Sequence, residues 1–117
     1  MKYVCLVYYD EQIIKDMTEQ QWLDLNKECK SFGDGVRSSG HCIGGNALQM
    51  TDTASTVRIR EGKLQLTDGP FAETKEQLAG FYLMEAADLD EAIKLASGIP
   101  PARLGSIEIR PIRELPV

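Results

Sequence analysis

The order of apolar patterns along the chain predicts an α+β protein built as a ferredoxin-like sandwich with an inserted β-hairpin. Three observations support this fold class. The patterns follow in the order strand, helix, strand, hairpin, strand, helix, strand. A capping box precedes each of the two predicted helices. Strict alternation of apolar and polar residues over 56–67 predicts the hairpin. We therefore expect one domain over residues 1–117.

The first half of the chain predicts a strand, a long helix and a short second strand. Residues 2–9 are apolar on both faces, which predicts a strand that is covered on both sides. Thr18 opens a capping box, and apolar residues then recur at helical spacing, which predicts a helix over 18–38. Gly40 can end this helix, and residues 41–45 lead into a second strand or a bend.

The hairpin is predicted to lead directly into a rigid acidic corner. Apolar and polar side chains alternate in residues 56–60 and 64–67, on either side of Glu61-Gly62-Lys63. We therefore expect Asp68 to lie at the end of the second hairpin strand. Gly69-Pro70 should stop that strand, because proline fixes its own backbone and restricts the residue before it. The carboxylates of Asp68, Glu73 and Glu76 are then expected to lie close together at this corner. The alternative is that residues 73–77 form one solvated helical turn.

The last third of the chain supplies another apolar strand, a second helix and an edge strand. Residues 80–86 form the strand, residues 89–97 the helix, and residues 106–112 the last strand, in which Pro111 indicates an edge position. Two helices can cover only one face of the sheet. We therefore expect a second copy of the chain to cover the other face and to form a dimeric α/β barrel.

Composition narrows the classes of function. The net charge of −5 and the lack of a basic stripe argue against direct nucleic-acid binding. The apolar run at the N-terminus is short and ends at Asp10, so we expect neither a signal peptide nor a membrane anchor, and we expect a cytoplasmic protein. Three cysteines, an odd number, favour reduced thiols over a disulfide framework. No metal site and no cofactor are predicted.

Several segments together resemble the DGPF branch of the YCII-related proteins, over nearly the whole chain. The segments that carry the resemblance are Asp68-Gly69-Pro70-Phe71-Ala72-Glu73-Thr74-Lys75-Glu76, Gly80-Phe81-Tyr82, Thr56-Val57-Arg58, Gly44-Gly45 with Leu48, and the stretches 99–103 and 107–112. The resemblance implies a ferredoxin-like fold and a dimeric α/β barrel. Some YCII relatives look like small lyases or dehalogenating enzymes with a histidine on the first helix, but residues 20–38 of this chain contain none. Members of the DGPF branch are often encoded beside sigma factors, which implies a link to transcription.

Six residues are candidates for a functional site. Asp68 is a candidate general base or ligand contact, although Asp before Gly-Pro can instead cap its own turn. His41 is a candidate acid or base, with a helix-capping or surface role as the alternative. We expect the others to line a cleft between sheet and hairpin for a small carboxylated or phenolic ligand, unless they are core, interface or solvated surface residues: Tyr8, Arg58, Glu73 and Tyr82.

Two functions follow from these patterns. The first is a homodimer that binds a small organic ligand near Asp68, with any chemistry being acid–base and lyase- or hydrolase-like. The second is a regulatory or interaction module without catalysis, linked to sigma-factor-dependent transcription.

Overall fold

The computed structural model describes residues 1–117 and contains six strands and three α-helices. The strands are β1 (Lys2–Tyr9), β2 (Cys42–Ala47), β3 (Ser55–Arg60), β4 (Lys63–Asp68), β5 (Gln77–Glu85) and β6 (Ser106–Pro111). The helices are α1 (Glu11–Lys15), α2 (Glu19–Ser38) and α3 (Leu89–Ala96), and short 3₁₀ turns lie at Thr51–Thr53 and Pro100–Arg103. The prediction of a mixed α+β protein is confirmed.

Four strands form the central sheet in the order β2-β5-β1-β6, and every neighbouring pair is antiparallel. Cys5 of β1 lies opposite Tyr82 of β5 on one side and Ile109 of β6 on the other. β6 is an edge strand, as the proline at position 111 indicated. The sheet does not close into a barrel within the chain, because β2 and β6 remain at opposite edges.

The two longer helices begin where the capping patterns predicted. Thr18 accepts a hydrogen bond from the backbone N–H of Gln21, and the Gln21 side chain accepts one from the Thr18 N–H, so both halves of the capping box are present. α2 ends at Ser38 with Ser39 as its C-cap, and Gly40 follows with a φ of 80°, a conformation that suits glycine just after a helix. Asp88 caps α3 by accepting a hydrogen bond from the N–H of Glu91.

The core lies on one face of the central sheet. Cys5 and Met84 are fully buried there against Val36 of α2, Ala96 of α3 and the neighbouring Ile99. The opposite face stays half-exposed, although the side chains at its centre are apolar. Those side chains are Val4, Leu6, Tyr8, Phe81 and Leu83. One face of the sheet is therefore covered by helices, and the other is open in a single chain.

β3 and β4 pair only with each other and form a separate two-stranded sheet. The turn has two residues, because Arg60 pairs with Lys63, and both Glu61 and Gly62 have positive φ values of 52° and 74°. Alternation places four branched apolar side chains on one face of the hairpin, each 59–65% exposed. This exposed hairpin face consists of Val57, Ile59, Leu64 and Leu66.

Three local features differ from the sequence-based expectation. α1 was not predicted, because a helix of five residues is too short to show a 3.6-residue period. β5 begins at Gln77 rather than at residue 80, since its first residues pair with Tyr8 and Tyr9 across a register shift. Residues 73–76 form no helical turn.

No helix in the structure combines the length and the low polarity that crossing a membrane requires.

We expect Thr18→Ala to lower the free energy of unfolding by about 1 kcal/mol, because the change removes the hydroxyl that caps α2. Ser31→Ala is the matched control, since Ser31 is exposed within the same helix and alanine is the better helix former. Urea denaturation of both variants measures the difference. Equal stability of the two variants would contradict this role of Thr18.

Candidate functional site

Two hydrogen bonds to Gly69 hold the acidic corner against β3 and the segment before it. The N–H of Gly69 donates to the carbonyl oxygen of Ala54 at 2.7 Å, and the hydroxyl of Thr56 donates to the carbonyl oxygen of Gly69 at 2.8 Å. Gly69 has a φ of 122°, a conformation that glycine tolerates and other residues rarely adopt. The segment before β3 and β3 itself therefore fix the direction in which the chain leaves β4.

The carboxylates at the corner take little part in this scaffolding. Asp68 and Glu73 are exposed, and neither side chain has a hydrogen-bond partner within the chain. The interpretation of Asp68 as the cap of its own turn is therefore not supported. Glu76 differs, because its Oε1 accepts a hydrogen bond of 2.7 Å from the hydroxyl of Ser106 and ties the corner to β6. Asp68 remains free to contact a ligand.

A cavity of about 630 Å³ lies between the corner and the central sheet. We call it the hairpin-side cavity. Its lining is largely apolar, and threonine hydroxyls, two glutamine amides and one glutamate supply polar groups. Among the lining residues are Tyr8, Leu48, Gln49, Met50, Thr51, Thr56, Pro70, Phe71, Ala72, Glu76, Gln77 and Leu78. Its volume lies within the range of about 300–1,000 Å³ that small-molecule sites occupy.

Glu11 of α1 holds one wall of this cavity. Its carboxylate accepts two hydrogen bonds from Thr51, at 2.8 Å from the backbone N–H and at 2.6 Å from the hydroxyl. Its own backbone N–H donates to the side-chain oxygen of Gln77 at 2.9 Å. The sequence patterns did not predict a role for these three residues. The local signal in the sequence is the pair of acids Asp10-Glu11 that directly follows β1.

The structure separates the residues that the sequence suggested for one cleft. Tyr8 lines the hairpin-side cavity. Ala72 and Thr74, which flank Glu73 in the chain, also line it, whereas Glu73 does not. Tyr82 lies on the opposite, helix-covered face, where its ring contacts Phe32 edge to face at a centroid distance of 5.4 Å. Arg58 projects from the polar face of the hairpin and is exposed, without an ion pair.

His41 lies far from Asp68. It precedes β2, where its carbonyl oxygen accepts a hydrogen bond from Glu85 at the end of β5, whereas the hairpin-side cavity lies at the Gln77 end of that strand. Since a strand rises about 3.3 Å per residue, the two ends of β5 are roughly 26 Å apart. The His41 Nδ1 contacts the Ser39 hydroxyl at 2.8 Å, and its Nε2 lies 3.5 Å from the Glu91 carboxylate. The two side chains therefore do not form a catalytic pair within one chain.

A second cavity, of about 370 Å³, lies between α2 and the covered face of the sheet. We call it the helix-side cavity. It includes Tyr9, Tyr82 and Cys29 in its lining. Burial raises the pKa of both phenols, and nearby groups, Glu11 for Tyr9 and Cys29 for both tyrosines, raise it further. Both phenols are therefore protonated hydrogen-bond donors at neutral pH.

All three cysteines are free thiols, and two of them are buried. Burial, together with a smaller effect of the neighbouring Cys42, raises the pKa of Cys5 to about 11. Burial also raises the pKa of Cys29, assisted by Glu28 and partly offset by Arg103. No group of three or more His, Cys, Asp or Glu side chains is arranged to hold a metal ion.

Comparison with known proteins adds two findings. A family model for the YCII-related domain matches residues 1–116. An uncharacterised protein of Rhizobium meliloti (strain 1021) is 35% identical to this chain over 114 residues, which cover 96% of this chain and 92% of the relative. The similarity therefore extends across both cavities and the acidic corner.

We expect only Cys29 to react with iodoacetamide in the folded protein, because Cys5 and Cys42 are buried. The thiolate is the reactive form, and a raised pKa lowers its fraction at a given pH. The labelling rate of Cys29 should therefore rise with pH around a midpoint above that of a free thiol. Mass spectrometry of labelled peptides measures each rate, with Cys29→Ser as the control that should leave the folded chain unlabelled. Fast labelling of Cys5 at pH 8 would contradict its burial.

Proposed function

Since the chain belongs to the YCII-related family, we propose that it is a cytoplasmic homodimer that binds a small organic ligand in the hairpin-side cavity. The observation that carries this proposal is the cavity itself, which has a largely apolar lining that includes Pro70 and Phe71 of the acidic corner. The unpaired carboxylate of Asp68 precedes Pro70 by two residues and is exposed beside this lining segment of the chain. We place the chain in the DGPF branch on the resemblance of residues 68–76. The strand order β2-β5-β1-β6 with a hairpin between β2 and β5 supports a ferredoxin-like plan with an inserted hairpin.

The shape of a single chain supports the homodimer. A compact chain of this length has a radius of gyration of about 13 Å. The observed value is 16.2 Å, and the molecule extends 47 × 47 × 20 Å. Only 16 of 117 residues are buried, while apolar side chains remain on the open face of the sheet and on the exposed hairpin face. Packing two copies face to face would cover both surfaces and form the dimeric α/β barrel.

A second copy would also complete the cavity. Phe71 lines it and is 79% exposed, so the wall at the corner stands open to solvent in a single chain. Tyr8 lies on the open face of the sheet and contributes another wall. Covering these two residues would exclude water and strengthen hydrogen bonds and charge interactions within the cavity.

Chemistry in this cavity would be acid–base. Asp68 is the candidate base, and Glu73 is its weaker partner at the same corner. Tyr8 and the threonine hydroxyls would orient a ligand through hydrogen bonds. Tyr82 and His41 have no place in this mechanism within one chain, because Tyr82 lies on the helix-covered face and His41 lies at the other end of β5. Arg58 shares its hairpin face with Thr56 but does not line the cavity in one chain.

A second candidate function is a regulatory module without catalysis, linked to sigma-factor-dependent transcription. The separation of His41 from Asp68 favours it, since the two side chains cannot share a proton in one chain. In this reading the cavity senses a ligand and does not convert it. Turnover of a bound ligand would favour the first function over this one.

We expect a ligand identified among small carboxylic acids, phenols and amines to raise the melting temperature by several degrees near saturation. Ala72→Phe should abolish the shift, because an added ring at position 72 fills the hairpin-side cavity. Ala87→Phe is the matched control, as Ala87 is exposed and lies outside this cavity. Differential scanning fluorimetry measures all three chains. A shift that survives in Ala72→Phe would place the ligand elsewhere.

Asp68→Asn separates the role of the charge from that of the fold. Its stability should stay within about 0.5 kcal/mol of the parent, because an exposed carboxylate without hydrogen bonds is replaced by an amide of similar shape. Ligand affinity or turnover should fall. Loss of stability with unchanged ligand response would show that Asp68 serves the fold alone.

We expect Leu66→Lys to weaken the dimer, because it places a charge on the exposed hairpin face, which we assign to the interface. Gln65→Lys is the matched control, since it adds the same charge one residue away on the opposite face of the hairpin. Sedimentation velocity at micromolar concentration should show dimers for the parent and for Gln65→Lys, and monomers for Leu66→Lys. A monomeric parent chain would overturn the proposal.

A further inference from the structure

The helix-side cavity is formed because several residues around it have little or no side chain. Ala47 of β2, Ala79 of β5 and Gly33 of α2 leave space above the covered face of the sheet. Gly45 and Gly80 instead let β2 and β5 lie close together, because a Cβ at either position would meet a backbone oxygen of the other strand, at 2.6 Å and 2.9 Å. The cavity volume of about 370 Å³ lies within the usual range for small ligands and suits a molecule of one or two rings.

Aromatic side chains form the walls of this cavity. Trp22 extends from the first turn of α2, and Tyr9 and Tyr82 extend from the sheet. The edge-to-face contact between Tyr82 and Phe32, at an interplanar angle of 84°, fixes one ring. The phenolic hydroxyls of Tyr9 and Tyr82 make no hydrogen bond within the chain. Neither hydroxyl is buried, so both are accessible. Both hydroxyls are therefore available to a ligand.

The mouth of the cavity carries two cations. Lys30 and Arg37 both line it, and both pair with the single carboxylate of Asp34, at 2.8 Å and 3.1 Å. Two positive charges against one negative charge leave a local excess of +1 in a chain whose net charge is −5. The Arg37 guanidinium lies over Gly33, where a Cβ would approach its Nη2 to 3.1 Å. The absence of a side chain at position 33 thus lets this cation reach the cavity.

The charged and hydroxyl groups around this cavity act mainly as hydrogen-bond donors. Lys30 and Arg37 donate at the mouth, and the phenols of Tyr9 and Tyr82 donate from the walls. A ligand that satisfies them must be rich in acceptors, and the local excess of positive charge favours an anion. The aromatic walls favour a planar ring.

We propose that the helix-side cavity binds a small aromatic carboxylate. The ring lies between the side chains of Trp22 and Tyr82, and the carboxylate lies at the mouth against Lys30 and Arg37. This site shares no lining residue with the hairpin-side cavity, so it does not depend on the function proposed above.

Trp22 makes this proposal directly testable, because it is the only tryptophan of the chain and lies at the helix-side cavity. Titration with 3-phenylpropionate should change its fluorescence in a saturable manner. The neutral alcohol 3-phenylpropanol should bind about tenfold more weakly, since it lacks the charge that the mouth recognises. Arg37→Gln should weaken 3-phenylpropionate by about tenfold and remove most of its advantage over the alcohol.

Three further variants serve as controls. Lys27→Gln removes a cation from the same helix outside the cavity and should change the affinity less than twofold. Ala47→Phe fills the helix-side cavity and should abolish binding. Ala72→Phe fills the other cavity and should leave the Trp22 signal unchanged, which separates the two sites. Circular dichroism verifies that each variant is folded.

The proposal is overturned if 3-phenylpropionate gives no saturable signal up to millimolar concentration. It is also overturned if Ala47→Phe binds as the parent does, or if Ala72→Phe abolishes the signal. Equal affinity of the acid and the alcohol would show an apolar site without recognition of the carboxylate. Protection of Cys29 from iodoacetamide by 3-phenylpropionate would be independent support, because Cys29 lies in the cavity lining.

Discussion

The constraint on which the structure depends is that its two longer helices cover only one face of the four-stranded sheet. Alternation along β1 sends Cys5 and Val7 under the helices and leaves Leu6 and Tyr8 on the other side. The chain is consequently flat and buries few residues. Both cavities lie at margins of this arrangement, one beneath α2 and one where the hairpin leaves the sheet.

The acidic corner divides structure and chemistry between adjacent residues. Gly69 fixes the path of the chain through a backbone hydrogen bond to Ala54 and through a hydrogen bond that its carbonyl oxygen accepts from the Thr56 hydroxyl. Asp68 contributes no side-chain bond to this scaffold. Because the Asp68 carboxylate makes no hydrogen bond within the turn, it can interact with a ligand without loss of the turn. Because of this division, a motif with strong turn chemistry can also present a carboxylate that is exposed and unpaired.

Local signals predicted much of the fold. The capping box at Thr18, the alternation of the hairpin and the proline of the last strand each depend on a few neighbouring residues, and all three predictions were confirmed. The extent of β5 was not predicted, because it depends on pairing with Tyr8 and Tyr9. α1 was not predicted, because five residues are too few to show a helical period.

The candidate site was harder to predict for the same physical reason. Alternation shows which residues of one strand share a face, but it does not show how the faces of two strands align. Cys5 pairs with Tyr82, so Tyr82 lies on the face that the helices cover. Tyr8 lies on the other face, and a register shift separates it from Val7. The distance between His41 and Asp68 depends on strand order, which no local pattern contains.

The two-residue turn at Glu61-Gly62 has a consequence for how this family can diversify. The hairpin pairs with no other strand, so its length can change without disturbing the ladder of the central sheet. Side chains alternate with a period of two, and insertions of two residues in each strand would preserve the apolar face while lengthening it. Evolution could thereby adjust the length of the hairpin in steps of about 7 Å, independently of the central sheet.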